Sequence, residues 1–248
     1  MKVGKANIYI GTSGWSYPHW KGNFYPENLA KSKWFEYYLR NFDTVEVNAT
    51  FYRRFKDETY QKWRKRVPDE FKYVLKVPRL ITHRKLLHEV DDLIDEFQRS
   101  ASLLGDNLGL LLLQLPPRIP YHPERLEQVL RHFKHPDKVA VEIRNKEWFT
   151  EEIREILHNC GSVFCTADSP KTEIMDWVTG DTSYIRLHGR DKWYSYDYSE
   201  KELQEIMEFI KKMMGKSVNT FYIFFNNDFQ GYAPRNAQTL LEMVRQNF

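Results

Sequence analysis

Eight short apolar stretches of β character recur along the chain, at about 8–13, 43–48, 71–77, 109–115, 138–144, 162–167, 183–188 and 220–226. Some alternate with period two and others are apolar throughout. Between most of them the hydrophobic spacing is helical, at 31–40, 59–66, 89–104, 123–133, 150–159, 199–214 and 234–246, with a weaker helical stretch at 171–178. Strict alternation of strand and helix requires parallel strands joined by crossovers. Eight such units in about 250 residues predict an α/β fold, a single-domain TIM-like (β/α)8 barrel. No linker, internal repeat or low-complexity tract divides the chain, so one domain over 1–248 is expected. An open doubly wound sheet announces itself by a glycine-rich first turn, but GTSG at 11–14 is not GxGxxG, and neither a P-loop nor another organic-cofactor motif is present.

The apolar runs end in charged or amide side chains: TVEVN at Asn48, VAVEIRN at Asn145, FCTAD at Asp168, YIRLH at His188 and IFFNND at Asp228. Parallel strands in a barrel share one C-terminal edge, so these tips are expected to gather at a common mouth. Parity sharpens the expectation. Glu46 and Asn48 share one strand face, as do Glu142 and Arg144, Tyr184, Arg186 and His188, Thr166 and Asp168, and Asn226 and Asp228. Lys76 and Gln114 end two further strands. The all-apolar parity packs under the helices and the polar parity faces the lumen near its top. Gly11, Gly14 and Gly189 fit either a close approach to a ligand or ordinary turns.

The 248 residues carry 37 Lys and Arg against 34 Asp and Glu, a net charge of +3 that does not by itself imply nucleic-acid binding. The segment 53–88 differs, with 12 basic against 4 acidic side chains, and reads as a solvated helix face or as a basic rim that attracts an anion. Cys160 and Cys165 form no disulfide framework and read as packing thiols of a reducing compartment. The first residues lack the apolar region of a signal peptide and no apolar run approaches the ~18 residues of a membrane span, so a soluble cytoplasmic protein is expected.

Several long motifs follow one another in the chain: IGTSGWSYPHWKGNFYP, FDTVEVNATFYR, LLLQLPP, VAVEIRN, ADSP, YIRLHG and FFNNDFQGYAPRNA. In this order, from Ile8 to near Leu241, they resemble the YecE-like family, a domain of unknown function. The resemblance implies a TIM-like barrel, in agreement with the strand count, and implies no reaction.

The composition of the strand ends separates chemistries. Glu46, Glu142, Asp168 and Asp228 offer four carboxylates, Lys76, Arg144 and Arg186 three cations, and His188 a titratable ring. A multinuclear zinc site needs several histidines and carboxylates with few cations nearby. Only His188 lies at a strand end and no HExxH or CxxC spacing occurs, so such a site is disfavoured. No metal ligands are assigned, although one Mg²⁺ held by carboxylates and water stays compatible with the set. The leading reading is an enzyme acting on an anionic, phosphorylated sugar or nucleic-acid ligand. Arg144 and Arg186 clamp the anion, Lys76 adds a point charge, and Glu142, Asp168 or Asp228 moves protons, with Glu46 and His188 in support. Asn48, Gln114 and Asn226 complete the polar edge. Trp15, Tyr17, Trp20, Phe24, Tyr25, Tyr52, Trp148, Trp193, Tyr194, Tyr196 and Tyr198 form an aromatic rim that also suits a glycan-active hydrolase. A non-catalytic nucleic-acid-binding module, using the basic stretch and loop aromatics, is the alternative from another class. No membrane partner is expected.

Overall fold

Each of the eight apolar runs forms a strand, displaced by no more than two residues at either end. The computed structural model describes residues 1–247, Val3 by its backbone alone. Among the described residues one sheet contains β1 (Lys2–Val3), β2 (Ala6–Thr12), β3 (Thr44–Val47), β4 (Lys72–Lys76), β5 (Leu108–Gln114), β6 (Val139–Glu142), β7 (Val163–Asp168), β8 (Thr182–Leu187) and β9 (Thr220–Phe225). The order is β1-β2-β9-β8-β7-β6-β5-β4-β3. The two-residue β1, too short to leave a periodic signal, pairs antiparallel with β2. Strands β2 to β9 are the eight parallel strands of a TIM-like (β/α)8 barrel.

The chain packs as two compact units, one holding Met1–Glu46, Thr166–Asp176 and the residues from Asp181 onward, the other Val47–Cys165 and Trp177–Gly180. Two of the four divisions fall within β3 and β7, and the other two in the irregular segment before β8. In the first unit β2, β9 and β8 run in unbroken parallel register, Asn7 opposite Thr220 and Thr182 opposite Thr220. The end of β2 meets β3 through a Ser13–Glu46 bridge, and the Gly14 N–H donates to the Glu46 carbonyl at 2.8 Å. Gly11 permits this approach, because a Cβ there would lie 2.4 Å from the Thr44 carbonyl oxygen. Helix α1 (Trp34–Tyr38) and the long loop after β2 bury Trp20, Phe24, Tyr25, Trp34, Tyr38 and Phe42 together, with Tyr25 stacked on Trp34 at 4.9 Å.

The second unit carries β4, β5, β6 and the start of β7 in parallel register. Its helices are α2 (Ala49–Tyr52), α3 (Asp57–Lys65), α4 (Asp91–Ser102), α5 (Pro123–His132) and α6 (Glu151–Cys160). Their ends follow from the sequence. Pro123 opens α5 where its missing N–H costs nothing. Thr150 caps α6 by accepting from the Ile153 N–H, and Gly161 closes it at φ 70°. In the first unit α7 (Glu200–Met214) begins with a reciprocal Ser199–Glu202 capping box, and α8 (Tyr232–Asn247) ends the described chain. The inward face of α7 buries Leu203, Ile206, Met207, Ile210 and Met213, each contributing about 1.5–3 kcal/mol.

The segment 171–178 forms no helix. Side chains satisfy its backbone instead: Ser169 Oγ accepts from the N–H groups of Lys171 and Thr172, and Thr166 Oγ1 accepts from Met175 N–H at 2.7 Å. Beyond it Trp177 packs on Phe164 at 4.9 Å. A π-helical turn at Leu80–Arg84, also unforeseen, follows β4. Among the described residues no helix is long and apolar enough to cross a membrane.

Candidate functional site

In the first unit Glu46, at the end of β3, is 0 % exposed and accepts four hydrogen bonds. Ser13 Oγ donates at 2.7 Å and Tyr184 OH at 2.6 Å. Arg186, 1 % exposed, approaches edge-on, Nε to one carboxylate oxygen at 2.9 Å and Nη2 to the other at 2.8 Å. Since β3 and β8 are not neighbours in the sheet, Tyr184 and Arg186 reach Glu46 through the interior, as the polar parity of β8 requires. Burial opposes ionisation of Glu46. The charge and hydrogen bonds of Arg186, joined by those of Tyr184 and Ser13, outweigh it and hold the carboxyl below its ordinary range. Two of the guanidinium nitrogens of Arg186, expected at the sequence level to clamp an anion, are thus engaged by the buried carboxylate of Glu46.

His188 lies two residues beyond Arg186, fully buried. Asn226 Nδ2 donates to its Nδ1 at 3.0 Å, which leaves the ring proton on Nε2 of the neutral imidazole. Trp193 and Tyr194 pack on the ring at 5.3 and 5.9 Å. Gly189 makes this loop possible, at φ 102° with no room for a Cβ beside Tyr196 and the Lys192 carbonyl. Asp168, at the end of β7, receives Arg190 Nε at 3.0 Å. Burial pushes its carboxyl upward, and Arg190 opposes the shift. Arg190 in turn reaches Glu205 at 2.8 Å and Glu202 at 3.4 Å, and with Asp168 it lines an open cleft bounded by Pro170, Lys171 and Thr172. Asp228 is half-buried, its carboxylate 3.4 Å from His19 Nε2 and its carboxyl pushed up by burial. Its backbone carbonyl takes Trp20 Nε1–H at 2.9 Å, which ties the first loop to the last.

The second unit gathers Lys76, Gln114, Glu142 and Arg144. Gln114 stands opposite Glu142 in the β5–β6 register, and Lys76 stands opposite Leu112, so all three side chains share a face of adjacent strands. Arg144 Nε and Nη2 donate to Glu142 Oε1 at 2.9 and 2.8 Å. Lys76 Nζ sits 4.2 Å from the Phe51 ring centroid. Gln114 is 7 % exposed, and its buried Oε1 has no hydrogen-bond partner. His83, stacked edge-on against Phe51 at 4.9 Å, reports the local field. Burial, then the positive charges of Lys76, Arg144 and Arg79, lower its pKa to about 4, with Glu142 acting against them. Asn48 precedes α2, half-buried, and Tyr52 stands exposed at the end of that helix.

Sequence reading missed Arg190, Arg79 and His83. Arg79 and His83 lie in the basic stretch, where nothing separated them from its surface charges, and Arg190 lies in a loop with no strand parity to place it. The aromatic rim needs correction: Trp20, Phe24, Tyr25, Trp148 and Tyr198 are buried core, while Trp15 is half-buried against Phe35 at 4.7 Å. Among the described residues no group of three or more His, Cys, Asp and Glu side chains is placed to hold a metal ion.

A (β/α)8 barrel with ionised and amide side chains buried at its strand ends is the class that fold and site define. The chain belongs to the DUF72 family, described as a protein of unknown function, whose model matches residues 9–248. It is 33% identical over 265 residues to the UPF0759 protein YecE of Escherichia coli K12, covering 96% of this chain and 93% of that protein. The UPF0759 protein YunF of Bacillus subtilis is 26% identical over 271 residues, covering 96% and 94%. A DUF72 family protein of known structure from Thermotoga maritima superposes with a TM-score of 0.87 at 31% identity, covering 96% of this chain and 99% of its own. One from Enterococcus faecalis, at 20% identity and TM-score 0.83, shares the fold and covers 98% and 97%.

Proposed function

We propose that this chain is an enzyme acting on a phosphate ester of a sugar, free or within nucleic acid, bound at the C-terminal ends of β4, β5 and β6. The observation that carries this reading is that Gln114, on one face with Lys76 and Glu142 at adjacent strand ends, buries an Oε1 with no hydrogen-bond partner; the positive charges of Lys76, Arg79 and Arg144 also bear on the neighbouring His83. Lys76 supplies a point charge on a buried stem, and Arg144 a planar guanidinium of the geometry that suits phosphate oxygens. Gln114 Oε1, buried and lacking a donor, accepts a hydroxyl or N–H of the ligand. Glu142, paired with Arg144 at 2.8 Å, takes the role of general base.

The glycan hydrolase reading weakens because five of its eleven expected stacking rings, Trp20, Phe24, Tyr25, Trp148 and Tyr198, are core residues. Two free thiols, Cys160 half-buried and Cys165 buried, suit a cytoplasmic setting. The test is a turnover screen of pentose and hexose phosphates and of a phosphorylated single-stranded oligonucleotide, each with the parent chain and with Glu142→Gln. Turnover that Glu142→Gln lowers by about a hundredfold, with binding little changed, supports the assignment. Binding without turnover of every substrate points to a non-catalytic module, and binding of none of them overturns the reading.

A further inference from the structure

The basic stretch 53–88 also lines a pocket beside the ends of β3 and β4. A pocket of about 290 Å³ opens in the second unit between α2, the π-helical turn Leu80–Arg84 and α4, close to the ~300 Å³ lower bound of small-ligand sites. Its floor is apolar, formed by Phe51, Ile81, Leu93 and Phe97. Its wall carries Arg53, Arg54, Arg79 and Arg84 against one acid, Glu96, and that acid is already paired with Arg54. Tyr52 and Leu80, among the large apolar side chains most open to solvent at 70 % and 39 %, stand on its lip.

The wall is built from costly backbone. Lys85 N–H reaches back to the Leu80 carbonyl at 2.9 Å to close the π-helical turn, a geometry that concentrates at functional sites. Immediately after it Leu86, Leu87 and Glu89 are left-handed, at φ 49°, 65° and 48°. Non-glycine residues held this way persist where the surrounding structure imposes them. Here they set Arg84 and Leu80 on one side of the pocket while the buried Leu87 anchors the turn through Leu87 N–H to the Ile81 carbonyl at 3.0 Å.

We propose that this pocket binds a small aromatic phosphate monoester, its flat body on the Phe51–Phe97 floor and its phosphate among the arginines. An apolar floor with a wall of four arginines against one carboxylate matches a ligand that is both flat and anionic; guanidinium groups pair with phosphate oxygens and stack on rings. The pocket shares Phe51 and Arg79 with the neighbourhood of His83, but the inference does not depend on what Lys76 and Arg144 hold.

The test is calorimetric titration of the full chain with 1-naphthyl phosphate, 1-naphthol and inorganic phosphate. The phosphate ester is expected to bind at least about tenfold more tightly than either fragment, because charge and floor are both needed. Arg84→Gln and Tyr52→Ala alter exposed side chains, so melting temperatures close to the parent's are expected, and each is expected to weaken 1-naphthyl phosphate about fivefold or more. Inorganic phosphate binding as tightly as the ester, or unchanged ester affinity in Arg84→Gln, overturns the assignment. So does a loss caused by Lys76→Met alone, which would place the ester on the strand-end cations instead.

Discussion

Arg186 meets Glu46 through two parallel hydrogen bonds, Nε and Nη2 each to its own carboxylate oxygen at 2.9 and 2.8 Å, and neither side chain is more than 1 % exposed. A pair this dry is stable only while both members are present, since removing one strands a charge in a medium that solvates it poorly. Glu46→Gln and Arg186→Met are each expected to cost about 3–5 kcal/mol in urea unfolding, and the double substitution less than the sum. Additive losses would show that the pair does not act as a unit.

His83 gives a pH signature. Its pKa is lowered to about 4, first by burial and then by Lys76, Arg144 and Arg79, so the unfolded chain binds a proton between the ordinary 6.5 and about 4 that the folded chain does not. The stability contributed by this residue therefore falls as the pH drops through that window. Nuclear magnetic resonance titration is expected to find the ring neutral down to about pH 4, and Lys76→Met is expected to move the midpoint upward. A midpoint near 6.5 in the parent chain would contradict the cation cluster.

Much of the fold was legible because its signals are periodic. The eight parallel strands left apolar runs, and the parity of YIRLH placed Tyr184, Arg186 and His188 on one face, which the contacts of Tyr184 and Arg186 with Glu46 bear out. What parity does not encode is partnership. Nothing in the sequence said that Arg186 is committed to Glu46, that Arg190 crosses to Asp168, or that Tyr25 turns inward to pack with Trp20 and Trp34. The segment 171–178 misled because Ser169 and Thr166 replace helical hydrogen bonds with side-chain ones, a choice invisible to hydrophobic spacing.

Asp168 is pushed upward by burial and held back by Arg190, so Arg190→Gln is expected to raise its carboxyl further. Because the folded chain then holds the proton more tightly than the unfolded one, ionising Asp168 lowers stability as the pH rises above 3.8. Carbon-13 titration of the carboxyl in the two proteins reads this directly, and a downward move on losing Arg190 would refute the pairing.

At Gly189 the backbone has φ 102° and a Cβ would lie 2.4 Å from that of Tyr196. Gly189→Ala is expected to cost at least about 1–3 kcal/mol and to loosen the packing of Trp193 on His188, read as a change in tryptophan fluorescence before unfolding. Unaltered stability and emission would mean that the loop adapts freely.

The central claim is that Lys76 and Arg144 bind the phosphate of a sugar ester, and calorimetric titration with ribose 5-phosphate and ribose tests it most directly. The parent chain is expected to bind the phosphate and not the bare sugar, and Lys76→Met and Arg144→Gln are each expected to weaken that binding by about tenfold or more. Equal affinity for ribose and ribose 5-phosphate, or phosphate binding that survives both substitutions, would contradict it.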